Sequence, residues 1–348
     1  SELGDRAVAR GMRVGYEAVN WGRNVKTYVD AWDVVRRTDH QAIGLILDSF
    51  HILTKDSDIN AISTMPADRI FHVQLSDAPN IAMDPEYMSR HFRCMPGEGN
   101  LPLLDFMQSV VATGYDGPFS IETLNARNHS DSARIAAQDA QRSLLNLADQ
   151  TQRSLKAPNK TLPDLPPKDA VQGVEFIEFT ANASEAETLG KMLSSLGFVP
   201  KAQHIAKSVT LWTQGDINIV INTEQTGFAH SAYVMHGTSV CDIGLMLNDA
   251  DQTILRAQNL GANLFSQRKG AGEMDIPAVR GVGGSVLHFL DQKSGLDKVW
   301  ETEFKPCDAG PILSSVGLSR VDHIAQVMKH DELLSWTLFY TSVFDVEK

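Results

Sequence analysis

Through the first 149 positions, short apolar runs alternate with longer stretches whose apolar residues recur at three-and-four spacing. The runs are Val14–Tyr16, Ile43–Leu47, Ile70–Val73 and Phe119–Ile121; the longer stretches include Val25–Arg37 and Leu101–Thr113. The first pattern suits strands and the second amphipathic helices, so the region reads as βα units around a parallel sheet. Residues 150–171 interrupt the pattern with Pro158, Pro163, Pro166 and Pro167. Proline lacks an amide donor and disfavours helix before it, which predicts an exposed linker.

Beyond the linker the rhythm changes. Strands are expected at Val174–Thr180, Val209–Trp212 and Ile217–Asn222, with a helix at Glu185–Leu196. A second such unit runs from Asp242–Leu247 through a helix at Gln252–Leu260 to Ala262–Ser266 and Val286–Asp291. A larger repeat also appears: Gly173-Val-Glu-Phe-Ile aligns with Arg320-Val-Asp-His-Ile at an offset of 147, which marks a duplicated module. The expected division is therefore 1–149, a linker at 150–171, a first copy at 172–310, and the start of a second at 311–348. Both ends read as cut inside a fold.

Composition changes the picture little. A formal charge of −12 argues against nucleic acid, whose phosphates require clustered Lys and Arg. Cys94, Cys241 and Cys307 stand far apart without metal-knuckle spacing, which suits a reducing cytosol. No apolar run approaches the length of a membrane span, and no leader pattern is visible. Arg280-Gly-Val-Gly-Gly284 precedes a strand instead of opening a helix, so it reads as a turn, not a phosphate loop.

The candidate chemistry lies in what ends each early run. Glu17, Asp48, Gln74 and Glu122 follow the four runs at intervals of 31, 26 and 48 residues. In a TIM barrel the carboxyl ends of the strands share one mouth, where reactive groups gather. Four oxygen donors, three of them carboxylates, suit a divalent cation such as Mg²⁺, Mn²⁺ or Co²⁺. Each acid taken singly has another reading, as a helix N-cap or a solvated loop residue.

With these residues in view, the first half resembles the xylose-isomerase-like barrel superfamily, and here its C-terminal half, strands five to eight. The resemblance implies metal ligation by Glu17, Asp48 and Glu122, with Gln74 where most relatives carry His. His72-Val-Gln-Leu-Ser-Asp-Ala-Pro79 is similar to a segment of the bacterial 3-dehydroshikimate dehydratases, in which that Gln is an oxygen ligand. The region after the linker resembles the vicinal-oxygen-chelate fold of 4-hydroxyphenylpyruvate dioxygenase. The implied architecture is α/β plus α+β. The implied activity is divalent-metal-dependent dehydration of 3-dehydroshikimate to protocatechuate, a small-molecule reaction.

In that reaction a proton leaves carbon and another reaches the departing hydroxyl. Glu17 and Glu122 are candidates for this traffic. His51, three residues past Asp48, is either a general acid–base or a residue that orients a ligand. Arg93 and Ser89, in the loop before the last run, are expected to hold the substrate carboxylate, while His72 and Asp77 support Gln74. In the second copy, His323 matches the first ligand of an Fe²⁺ or other divalent site whose remaining ligands are not in this sequence. The first copy carries Phe176 at that place and is expected to be structural, a cavity wall or the surface of a homo-oligomer. His288 reads as a satisfied strand residue. Competing readings are a sugar isomerase or epimerase using Glu17 and Glu122, an aromatic keto-acid dioxygenase, and a regulatory or assembly role for residues 172–310.

Overall fold

The computed structural model describes residues 1–55, 57–125, 132–307 and 316–348. The chain divides into two compact units, residues 1–165 with 337–339 and residues 166–336 with 340–348.

The first unit opens with α1 (Glu2–Val8) and β1 (Val14–Tyr16), then α2 (Tyr28–Thr38), β2 (Ile43–Asp48) and α3 (Ser49–Leu53). β3 (Ile70–Leu75), α4 (Pro85–His91), α5 (Leu103–Ala112), β4 (Phe119–Ile121) and α6 (Ala133–Ser154) follow. The four strands form one parallel sheet in sequence order. β2 is buried along almost its whole length, as a strand covered on both faces must be. α2 starts at a capping box, in which Thr27 Oγ1 accepts from the Asp30 amide and Asp30 accepts from the Thr27 amide. Its Tyr28, Ala31 and Val35 recur at helical spacing and pack with Leu45, Leu47, Val73, Phe106 and Val110 in one core. Burying these side chains anchors the sheet and thereby its carboxyl edge.

The second unit contains β5 (Gly173–Thr180), α7 (Ala183–Ser195), β6 (Val199–His204), β7 (Val209–Gln214) and β8 (Ile217–Asn222). Then come α8 (Gly227–His236), β9 (Ser239–Leu247), α9 (Ala250–Asn259), β10 (Leu264–Phe265), β11 (Ala278–Arg280) and β12 (Val286–Asp291). α10 (Val299–Thr302), β13 (Phe304–Pro306) and α11 (Leu333–Val343) complete the elements. Strands β5 to β13 make one sheet, ordered β10-β11-β12-β9-β5-β8-β7-β6-β13. Two βαβββ units meet where β5 and β9 pair antiparallel. Strand alternation sorts the faces: Ile217, Ile219 and Ile221 join Leu189 and Leu193 of α7 in a core, leaving Val220 and Asn222 on the other side.

Three local differences from the pattern reading have physical causes. α6 continues to Ser154, five residues into the segment read as linker, because the first proline there is Pro158. α8 escaped notice because its apolar residues fall all round the helix, and Val234 and Met235 are exposed. The stretch around Val321–Ile324, aligned with β5, forms no strand; a strand exists only where a neighbour pairs with it, and among the described residues none does. The helix half of that repeat does form, as α11. The proposed junction at 310/311 lies outside the described residues.

Candidate metal centre

The parallel sheet carries the four oxygen residues to one edge. Glu17 follows β1, Asp48 ends β2, Gln74 stands beside Asp48 in register on β3, and Glu122 follows β4, its amide donating to the Leu75 carbonyl. Asp48 has two roles at once. Its Oδ1 caps α3, accepting from the Phe50 and His51 amides at 2.7 and 3.2 Å, which leaves Oδ2 for the site.

Glu17, Asp48 and His51 each place one ligand atom within 4.8 Å of the others, the only group of this kind among the described residues. His51 Nε2 lies 3.7 Å from Glu17 Oε1 and 3.9 Å from Asp48 Oδ2. Burial, then the charges of Asp48 and Glu122, outweigh Arg93 and push the Glu17 carboxyl up to about 7. Burial and Asp48 raise Glu122 in the same way. For His51, burial outweighs the attraction of Asp48 and Arg93 adds to it, lowering the ring to about 4, so it is neutral at pH 7.

These features fit a cation. Gln74 Oε1 and Glu122 Oε2 are buried and have no hydrogen-bond partner among the described residues. A buried acceptor left unpaired is costly, and two beside mutually repelling carboxylates call for positive charge. Glu17, Asp48 and His51 bring ligand atoms close enough to hold a metal ion, and Gln74 and Glu122 stand at the same sheet edge.

Arg93 is 1% exposed. Its Nη1 donates to Asp48 Oδ2 at 2.8 Å and to the Glu122 carbonyl at 3.2 Å, its Nη2 faces His51 Nε2 at 2.9 Å, and its Nε donates to Ser89 Oγ at 3.1 Å. The guanidinium lies over the Phe50 ring, 4.5 Å from its centroid. Arg93 therefore neutralises Asp48, and Ser89 orients Arg93. His72 Nε2 meets Ser120 Oγ at 2.8 Å across β3 and β4.

Asp77 organises the loop that carries Arg93. Its carboxylate accepts from the amides of Ala78, Gly97, Gly99 and Leu101 at 2.8–3.0 Å, and its backbone pairs with Cys94. Asp77→Ala would strand four donors in a buried turn, and we expect about 3 kcal/mol of lost stability. A denaturant melt checks this; a loss under about 1 kcal/mol would show the loop holds itself.

Three contributors to the site had gone unnoticed in the pattern. Asn20 donates its amide to His51 Nδ1 at 3.4 Å, and Trp21 packs edge-on against the His51 ring at 4.9 Å. Phe50 supports Arg93. Asn20 and Trp21 lie three and four residues past Glu17, so their position shortly after a strand end was the available signal. His323, by contrast, is exposed, with Nδ1 2.9 Å from Asp322 Oδ2, and no described group of metal donors includes it.

Two family models match successive parts of the chain. Residues 1–147 match the family model "Xylose isomerase-like TIM barrel", and 167–305 match "Hydroxyphenylpyruvate dioxygenase, HPPD, N-terminal". This chain fuses a xylose isomerase-like barrel region to a hydroxyphenylpyruvate dioxygenase-like region. A 3-dehydroshikimate dehydratase of Pseudomonas aeruginosa is 42% identical over 349 residues, covering 99% of this chain and 55% of that protein. Its counterpart in Pseudomonas putida is 41% identical, covering 99% of this chain and 54% of that protein. A solved xylose isomerase-like TIM barrel/4-hydroxyphenylpyruvate dioxygenase fusion protein matches with a TM-score of 0.89 and 41% identity, over 99% of this chain and 55% of that one. The fused chain thus spans about half the length of the curated relatives it matches. Among its described residues no helix is long and apolar enough to cross a membrane.

Proposed function

We propose that this chain acts in the divalent-metal-dependent dehydration of 3-dehydroshikimate to protocatechuate. The observation that carries the reading is the oxygen set at the sheet edge, Glu17, Asp48, Gln74 and Glu122, with two buried acceptors unpaired among the described residues. The name shared by the two full-span relatives points the same way.

A bound Mg²⁺, Mn²⁺ or Co²⁺ would supply the positive charge that stabilises an enolate developing next to the ketone. The chain's own residues supply the rest. His51, held neutral between Asn20, Trp21 and Arg93, is placed to exchange a proton as general acid–base. Glu17, 3.7 Å from its ring, and Glu122 are the carboxylates through which a proton passes. Arg93 holds Asp48 Oδ2 and His51 Nε2 in place, and Ser89 accepts from its Nε.

The direct test is to supply 3-dehydroshikimate and follow catechol absorbance before and after chelation. Turnover that disappears on chelation and returns with Mn²⁺, Mg²⁺ or Co²⁺ is the expected result; undiminished turnover in metal-free protein would refute the assignment. For Arg93 we expect Arg93→Lys to lower kcat about tenfold, because an ammonium cannot reach Asp48, His51 and Ser89 together as the guanidinium fork does. An unchanged kcat would show that Arg93 does not position the site.

A further inference from the structure

The second unit encloses a cavity of about 740 Å³, within the range of small-molecule sites. Four polar side chains cross its floor in a row, one from each of four adjacent strands: Asn222 of β8, Glu178 of β5, Asp242 of β9 and His288 of β12. Asn222 Nδ2 donates to Glu178 Oε1 at 2.9 Å, and His288 Nδ1 lies 2.7 Å from Asp242 Oδ2. Glu178 and Asp242 are direct partners in the antiparallel β5–β9 pair.

Packing alone does not select this row. Like charges opposite one another on antiparallel strands destabilise a sheet, and burial adds to the cost. The opposite faces of the same strands are conventional, with Ile177, Phe179, Ile219 and Ile221 turned to the α7 core. Where a sequence sets two acids opposite one another in a cavity floor, at a cost to packing, function is a usual reason.

The row itself specifies the ligand. No metal triad forms here, since among the described residues only the Glu17 cluster gathers donors closely enough. Burial and the Asp242 charge push Glu178 up to about 7; for His288, burial is outweighed by the charge and hydrogen bond of Asp242, which raise the ring. Asn222 and His288 each already hold one acid of the row, so it offers hydrogen-bond acceptors instead of a bare charge. Its carboxylates accept hydrogen bonds, and their cross-strand spacing of roughly 5 Å suits two neighbouring donors. Aromatic rings stand beside the row, where Phe176 and Phe265 lie 6.1 and 6.2 Å from the His288 ring and Trp300 meets Phe176 edge-on at 5.8 Å, while charged side chains such as Lys207, Glu224 and Glu273 line other parts of the cavity.

We propose that this cavity binds a small aromatic molecule bearing two adjacent hydroxyls, which donate to Glu178 and Asp242 while the ring lies among Phe176, Phe265 and Trp300. The site is separate from the barrel's oxygen set and does not depend on the dehydratase reading. Calorimetric titration of the full chain with catechol tests it, using 1,2-dimethoxybenzene as the probe without donors. Catechol should bind and the dimethoxy compound should not. Affinity should fall at least tenfold in Glu178→Gln, which keeps the side-chain shape, and in Phe265→Ala, at a partly exposed position on edge strand β10. It should survive in Glu17→Gln, which alters only the barrel. Absence of catechol binding, equal binding of both probes, undiminished affinity in both cavity variants, or loss of binding only in Glu17→Gln would overturn the proposal.

Discussion

Replacing Asp48 by alanine is expected to cost the metal-free protein about 4 kcal/mol or more, the largest stability effect of any single change at the site. The residue ends β2, caps α3 through Oδ1, and neutralises the fully buried Arg93 through Oδ2. Alanine removes the cap, worth about 1 kcal/mol, and leaves a guanidinium buried without its counter-charge, worth about 3–5 kcal/mol. Asp48→Asn separates the two, because the amide oxygen still caps the helix while the charge is gone. Urea melts should therefore place Asp48→Asn between wild type and Asp48→Ala. Two variants as stable as wild type would mean that Arg93 finds another partner and the ion pair is incidental.

Glu17→Gln and Glu122→Gln should each lower kcat/KM by about a thousandfold, the scale of a lost ligand or proton carrier. Stability should move the other way. Glu17 and Glu122 are both held above the ordinary carboxylate range by burial and by Asp48, so neutralising either relieves repulsion in metal-free protein. A gain of roughly 0.5–1 kcal/mol with loss of turnover is the expected signature of groups retained for function at the expense of the fold. Equal turnover would show that these carboxylates neither hold a cation nor move a proton. Loss of turnover with loss of stability would point to a scaffold role.

Much of the fold was legible because burial imposes periodicity. Ile43–Leu47 and Phe119–Ile121 announced strands, and the interval from Glu17 to Asp48 announced a βα unit, because a strand and its crossover need about that length. The elements that escaped lack such a signature. β11 and β13 are three residues each, and β6 carries Pro200 with exposed Lys201 and Gln203. The candidate site was legible to the same extent: four oxygen residues stand where their strands end. Arg93 was visible as a loop arginine, but its burial beneath Asp48, His51 and Ser89 was not.

By itself, the order of residues determined the two-part architecture, the parallel sheet of the first unit and the edge to which Glu17, Asp48, Gln74 and Glu122 belong. These follow from local repeats of apolar positions, which the chain carries wherever it folds. Only the tertiary structure decided which polar atoms meet: that Asp48 divides its two oxygens between a helix end and a guanidinium, that Gln74 Oε1 has no partner among the described residues, and that Glu178, Asp242 and His288 line up across three strands. Such encounters join residues tens of positions apart, and they depend on strand register and side-chain direction, which leave no periodic trace in a single sequence.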